Sequence, residues 1–283
     1  MNRLWAAACC LVALAVSEPA FAQSSGVTWS LFPSGEPFPV YVADPHRPTN
    51  AIVPRFYLRE DIPDTRTPRM WLSAGGRFGI LRIDGRRPGE RSWQLGIEAG
   101  LDALFDTQNK SDLIGLDGNY GLTMTTASRS SWTFKIAVLH TSAHLGDEYG
   151  ERTATDRINY TREEVALASA WRFQPQWRLY GEVATGYVLR SDDQKPWRMQ
   201  WGLEYTSTRR LWGGRFAWYS AADFASWAER DWRVDATIQS GIVARSNGRT
   251  YRLLLEYLDG RPPIAEFFKD TEASLALGFR IDM

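Results

Sequence analysis

Long stretches of this chain alternate between apolar and polar residues, and that period of two most narrows what it can fold into. In "RSWQLGIEAGLDALF", Trp93, Leu95, Ile97, Ala99, Leu101, Ala103 and Phe105 share one face, while Gln94, Gly96, Glu98, Gly100 and Asp102 share the other. "PWRMQWGLEYTS" sets Trp197, Met199, Trp201, Leu203 and Tyr205 against Arg198, Gln200, Gly202 and Glu204. "RDWRVDATIQSGIVA" repeats the theme, with Val234, Ala236 and Ile238 opposing Asp235, Thr237 and Gln239. Successive side chains of a β-strand point to opposite faces, so each segment reads as a strand. At about 10 to 14 residues these strands are longer than the usual globular kind. Charge and glycine on one face with large apolar groups on the other suits two architectures. A soluble sandwich turns the apolar face inward, and a membrane barrel turns it outward around a polar lumen.

The connections and the aromatic residues favour the barrel. Short turns at "ASRSS", "FQPQ", "TSTRR" and "RSNGR" alternate with longer loops near 106–118, 143–160, 190–196, 222–230 and 259–272. Short periplasmic turns opposite long outer loops are the outer-membrane pattern. Trp132, Trp171, Trp177, Tyr205, Trp212 and Tyr251 all flank the short turns. They read as one interfacial girdle, because Trp and Tyr favour the membrane–water boundary. Eleven strands are clear, starting near Arg69, Ser92, Gly118, Ser131, Tyr160, Gln176, Pro196, Leu211, Arg230, Arg249 and Ala273. A closed single-chain barrel wants an even number, and "AIVPRFYLRE" (51–60) supplies a twelfth. The expectation is an all-β, antiparallel, twelve-stranded transmembrane barrel over 51–283, in the outer membrane. Its last strand, "LALGFRIDM", resembles the terminal signal by which barrel-assembly machinery recognises its clients, except that it ends in Met283 rather than an aromatic.

Ahead of the barrel, 1–22 read as an export signal. Arg3 is followed by the apolar run Leu4–Val16, too short to span a bilayer as a helix, and "AFA" fits a small-residue cleavage site. Cys9 and Cys10, the only cysteines, lie within it, so the mature chain has no disulfide, thiolate nucleophile or cysteine metal site. Residues 23–50 are proline-rich and unsuited to a lipid-facing strand. They read first as an extended periplasmic leader and second as a plug entering the lumen. Lys+Arg and Asp+Glu are equal at 33 each, and without a basic stripe nothing points to nucleic acid.

Several phrases recur together in one known group. "VADPHRP", "HLGDEY", "KPW", "SWAERDW" and "LLLEYLDGRPP" resemble a bacterial family known only as a domain of unknown function, number 1207. The resemblance runs from about Phe32 to the C-terminus. It implies an outer-membrane barrel and no particular activity.

Chemistry concentrates in "HTSAHLGDEY" (140–149), at the end of a strand rising toward a long loop. Alternation puts Trp132, Phe134, Ile136 and Val138 on lipid, with Lys135 and Ala137 in the lumen. The same count puts His140 and Ser142 side by side on the lipid face near the outer leaflet. That pair resembles the His-x-Ser of outer-membrane lipid A 3-O-deacylases, which implies His140 as general base, Ser142 as nucleophile and a following carboxylate, Glu148 or Glu151, as orienter. The plainer reading is the polar end of a strand. A second reading makes His144, Asp147 and Glu148 ligands of a divalent cation such as calcium, with loop carbonyls completing the set. In a third, Arg157 and Arg162, flanking Tyr160, clamp a phosphate of lipopolysaccharide or phospholipid, against the simpler expectation of ordinary ion pairs. Lumenal charges were expected to pair as Arg198 with Glu204, Arg233 with Asp235 and Arg252 with Glu256, with Arg215 among them. His46 reads as an exposed turn residue. Competing with the lipid hydrolase are a narrow channel or small-ligand-binding barrel, and a structural barrel without catalysis.

Overall fold

A computed structural model describes residues 27–65, 67–85, 91–127 and 131–283; the export signal at 1–22 lies outside them. The strands are β1 (Thr28–Leu31), β2 (Asn50–Arg59), β3 (Arg69–Asp84), β4 (Ser92–Asp106), β5 (Asp112–Ala127), β6 (Trp132–Leu145), β7 (Thr161–Gln174), β8 (Trp177–Leu189), β9 (Trp197–Leu211), β10 (Phe216–Trp227), β11 (Val234–Ser246), β12 (Arg249–Gly260) and β13 (Glu272–Asp282). One helix, α1 (Asp147–Thr153), follows β6. From β2 to β13 each strand pairs antiparallel with the next, and β13 pairs back onto β2, closing a twelve-stranded barrel. No helix among the described residues is long and apolar enough to cross a membrane. The closed apolar-walled barrel places the protein in the outer membrane.

The alternation works as the sequence implies. Along β4, Trp93, Leu95, Ile97 and Leu101 are exposed on the outside, while Gln94, Glu98 and Asp102 are buried inside. The girdle at the short-turn end is continuous: Trp132 stacks on Trp171 (5.6 Å), Trp171 meets Phe173 (5.3 Å), and Trp177 meets Tyr205 (4.8 Å). One boundary differs. β5 begins at Asp112, not Gly118, because "DLIGL" pairs with Ala103–Asp106 across a bulge. Ile114 there is fully buried although it faces inward, so the apolar residues occupy both faces and hide the period.

The interior is filled from both ends. At the outer end, Ile62, Trp71, Leu104, Ile114, Tyr149 and Phe267 form an apolar cap under the long loops. Tyr149 of α1 donates to the Pro63 carbonyl (2.9 Å) and packs edge-on against Phe267. At the other end the proline-rich segment enters the lumen, where the sequence alone favoured a periplasmic leader. β1 pairs with the lower half of β3 (Leu81–Asp84) and β2 with its upper half (Arg69–Ser73). Between them the chain leaves the wall after Phe32 and runs inside from about residue 36 to 49. Proline cannot sustain a ladder, so the backbone carbonyls find other donors. Arg178 donates to the Pro39 carbonyl (3.0 Å) and to that of Val40, and Arg77 to that of Phe38 (3.3 Å). Glu204 accepts the Val42 N–H (2.8 Å). Tyr41 stacks on Tyr180 (4.0 Å, 10°) and donates its hydroxyl proton to Glu182 (2.8 Å).

The lumenal charges pair across strands rather than along them. Arg198 meets Glu164 and Glu182, Arg178 meets Glu204, Arg252 meets Asp282, and Glu256 sits between Arg55 (2.5 Å) and Arg280 (3.1 Å). Residues four to six apart on one strand are roughly 13–20 Å apart, out of reach, whereas neighbours on adjacent strands are about 5 Å apart. This overturns the expected pairs Arg198–Glu204 and Arg252–Glu256. Arg233 is half-exposed beside Asp259 (3.6 Å), and Arg215 lies exposed in a turn.

Candidate functional site

His140, Ser142 and His144 lie on the outer face of β6, opposite the inward set Lys135, Ala137, Thr141 and Ala143. The height of His140 follows from the girdle. Eight residues above Trp132, in a strand tilted by about 40°, it stands roughly 20 Å higher, near the outer edge of the apolar band. Its neighbours are set by register. On one side β5 presents Tyr120, whose ring stacks on the imidazole (4.4 Å, 21°). On the other side β7 presents Glu163, whose Oε1 is 3.5 Å from His140 Nδ1. That nitrogen is buried and, among the described residues, makes no hydrogen bond; Glu163 is its nearest acidic neighbour. Ser142 lies one outward position further up, between Gly118 of β5 and Thr161 of β7. A Cβ on Gly118 would sit 3.5 Å from Ser142 Oγ, so the glycine leaves the hydroxyl an open flank.

Glu148 is not beside this pair. It is exposed in the first turn of α1 with Asp147, where two acids favour the helix dipole. The carboxylate that meets His140 is Glu163. Alternation along "TREEV" already places Glu163 on the outside between lumenal Arg162 and Glu164, but the β6–β7 register that brings it to His140 cannot be read from either segment alone.

The other proposed sets do not assemble. His144 is exposed at the strand end and Asp147 pairs with Arg157 (3.2 Å). Among the described residues, no group of three or more His, Asp or Glu side chains is placed to hold a metal. The phosphate clamp is divided between two faces. Arg157 is half-exposed, but Tyr160 is buried against Phe268 (5.3 Å), its phenol pushed above its ordinary pKa by burial. Arg162 is buried in the lumen, bonded to Glu164 (2.6 Å) and to the Lys195 carbonyl (3.0 Å). So most of "HLGDEY" has a structural task. Gly146 passes so close to the Leu113 carbonyl, at 1.7 Å for a built Cβ, that no side chain fits, and Tyr149 anchors the cap.

His46 is not an exposed turn residue. It lines a lumenal cavity of about 130 Å³ with Asp44, Asp117, Asp223 and Arg261. Burial lowers its pKa to about 4, helped by the positive charge of Arg261, so it is neutral at pH 7. Nothing local in "DPHRP" signals this, because burial comes from the strands surrounding it.

With this geometry in hand, the chain can be set beside known proteins. No curated protein matches in sequence. Among solved structures, the outer membrane phospholipase dimer of Salmonella typhi with bound calcium is similar, at 13% identity and a TM-score of 0.55, over 83% of this chain and 90% of that one. The Escherichia coli outer membrane phospholipase A is similar at 14% identity and 0.54, over 83% and 92%. An active-site mutant of it matches at 14% and 0.55, over 87% and 93%. At these identities the likeness is one of fold. A family model described as protein of unknown function (DUF1207) matches residues 16–282, and the chain belongs to that family of outer-membrane barrels.

Proposed function

We propose that the outer face of β5–β7 hydrolyses an acyl ester of an outer-leaflet lipid, lipid A or phospholipid. The observation that carries this is the His140–Glu163 contact on the lipid-facing surface, with Ser142 one outward position away. In this reading His140 Nε2 takes the Ser142 hydroxyl proton as the oxygen attacks the ester carbonyl. Glu163 holds the Nδ1–H and steadies the imidazolium that forms. The imidazole then returns the proton to the departing alcohol. Water, activated by the same ring, releases the fatty acid and frees the serine. Glu163 thus takes the orienting role that the sequence pointed to in Glu148. A barrel fold like that of outer membrane phospholipases shows that such a barrel can carry lipid hydrolysis. Calcium is present in one of those structures, but here the described acids and histidines form no ion-holding group, so no step runs through a metal.

Mass spectrometry of lipid A and phospholipids from outer membranes with and without the protein tests this, in calcium and in chelator. The expected result is loss of an acyl chain that vanishes in His140→Ala and Ser142→Ala and persists in Glu148→Gln. Unchanged lipids under both conditions would end the hydrolase reading.

A further inference from the structure

The lumenal cavity lies between the inserted segment and the outer cap, and its wall reaches Tyr120 and His140 from the inner side of the barrel. Its charges do not balance locally. The basic residues on its wall, Arg77, Lys135, Arg162, Arg198 and Arg261, each have a glutamate within 3.4 Å. Arg47 lies 3.1 Å from Asp282, which Arg252 also holds, and its guanidinium nitrogens make no hydrogen bond among the described residues. Asp235, also on the wall, is met by Arg230 (3.3 Å). Three further carboxylates line the same space: Asp44, Asp117 and Asp223. Among the described residues none of these three forms a salt bridge.

Their hydrogen bonds leave capacity unused. Asp44 Oδ1 accepts only the His46 N–H (2.9 Å). Asp223 accepts from Tyr180 and Gln200, both neutral. Asp117 is 2% exposed; its Oδ2 accepts the Ala265 N–H (2.8 Å), and its Oδ1 has no partner among the described residues. A buried carboxylate oxygen without a donor is costly, and three acids without a salt bridge around one cavity compound the cost. His46, which faces the same space, is held neutral and supplies no charge.

We infer that this cavity binds a small organic cation bearing several N–H donors, of the alkylammonium or guanidinium class, through Asp44, Asp117 and Asp223. A bare metal ion does not suit it, because the carboxylates sit apart around the wall and no three converge. A cation with several N–H groups reaches separated acceptors, one bond to each. Asp44 belongs to the inserted segment and Asp117 to β5, so the ligand ties the plug to the wall.

Isothermal titration of the full-length protein in detergent tests this, with 1,4-diaminobutane and methylguanidinium as probes and xylitol and sodium acetate as controls at matched ionic strength. The expected result is saturable binding of at least one cation and of neither control. Affinity falls about tenfold or more in Asp117→Asn and in Asp44→Asn, each of which keeps an acceptor for its backbone N–H. Asp231→Asn, at an exposed outer turn, leaves affinity unchanged. Heat-modifiable gel migration verifies that each variant is a folded barrel; should one fail to fold, the other carries the test. Binding of neither cation, equal binding of xylitol, or cation affinity indifferent to both substitutions would overturn the inference.

Discussion

The hydroxyl of Tyr41 offers a direct measure of how firmly the inserted segment is held. Replacing Tyr41 with Phe keeps the stack on Tyr180 and removes one hydrogen bond to Glu182. Bonds to a charged acceptor contribute about 1.5–3 kcal/mol. Glu182 keeps Lys135 (2.7 Å) and Arg198 (2.8 Å) afterwards, so it is not stranded and the lower end applies, about 1.5–2 kcal/mol. At about 1.4 kcal/mol per factor of ten, that raises the released population roughly 10- to 30-fold. The chain has no cysteine beyond residue 10, so Ala43→Cys, at a fully buried position of the segment, makes a clean reporter. Under conditions where reclosing outpaces labelling, its reaction rate with a soluble thiol reagent tracks the open population. Tyr41→Phe should speed labelling by that factor. Tyr41→Ala, which also gives up the ring contacts, should cost about 3–5 kcal/mol and speed it at least ~100-fold. If Tyr41→Phe shifts the rate by less than about threefold while Tyr41→Ala does the same, the segment is not held by these contacts, and the account of the filled lumen fails.

Other expectations follow from the same contacts. His46 has a folded pKa of about 4, below its ordinary 6.5, so the released segment binds the proton more tightly. Retention is therefore full above about pH 6.5 and weakens up to tenfold per unit down to pH 4; hydrogen exchange of 38–49 checks this, and His46→Gln should flatten the profile. Gly202→Ala places a Cβ 2.2 Å from Tyr180 Oη and 2.4 Å from the Ala222 carbonyl, and overpacking of that kind costs about 1–3 kcal/mol, read as a lower unfolding temperature of the barrel. In the hydrolase reading, His140→Ala should cost about 10²-fold or more in ester turnover, and Glu163→Gln should lower kcat with little change in KM. In planar bilayers the intact protein should show no steady open pore, because segment and cap occupy opposite ends of the lumen; sustained conductance would contradict that packing.

The wall of this barrel was legible because lipid and lumen impose opposite demands on alternate residues, as Trp93 and Gln94 show along β4. The girdle was legible for a similar reason, being tied to short turns that the sequence marks. What fills the lumen was not. Arg178 finds Pro39 and Val40 across 139 and 138 residues of chain, and Glu256 finds Arg55 across 201, and no local pattern encodes such meetings. The site divides in the same way. His140 and Ser142 share a strand, so alternation placed them together on the outside. Glu163 reaches His140 only through the register of two strands, and that is why Glu148, nearer in sequence, drew the assignment.

The interrupted seam beside β3 couples the wall to its filling. The segment enters the lumen between β1 and β2, and β2 is also the strand against which β13 closes the ring. At the end of that segment Thr49 bonds to Asp282 on the closing strand itself, and Arg47 lies beside the same carboxylate. Ring and filling are thus joined at the edge where the first and last strands of the ring meet. An emptied barrel gives up those contacts at its own seam.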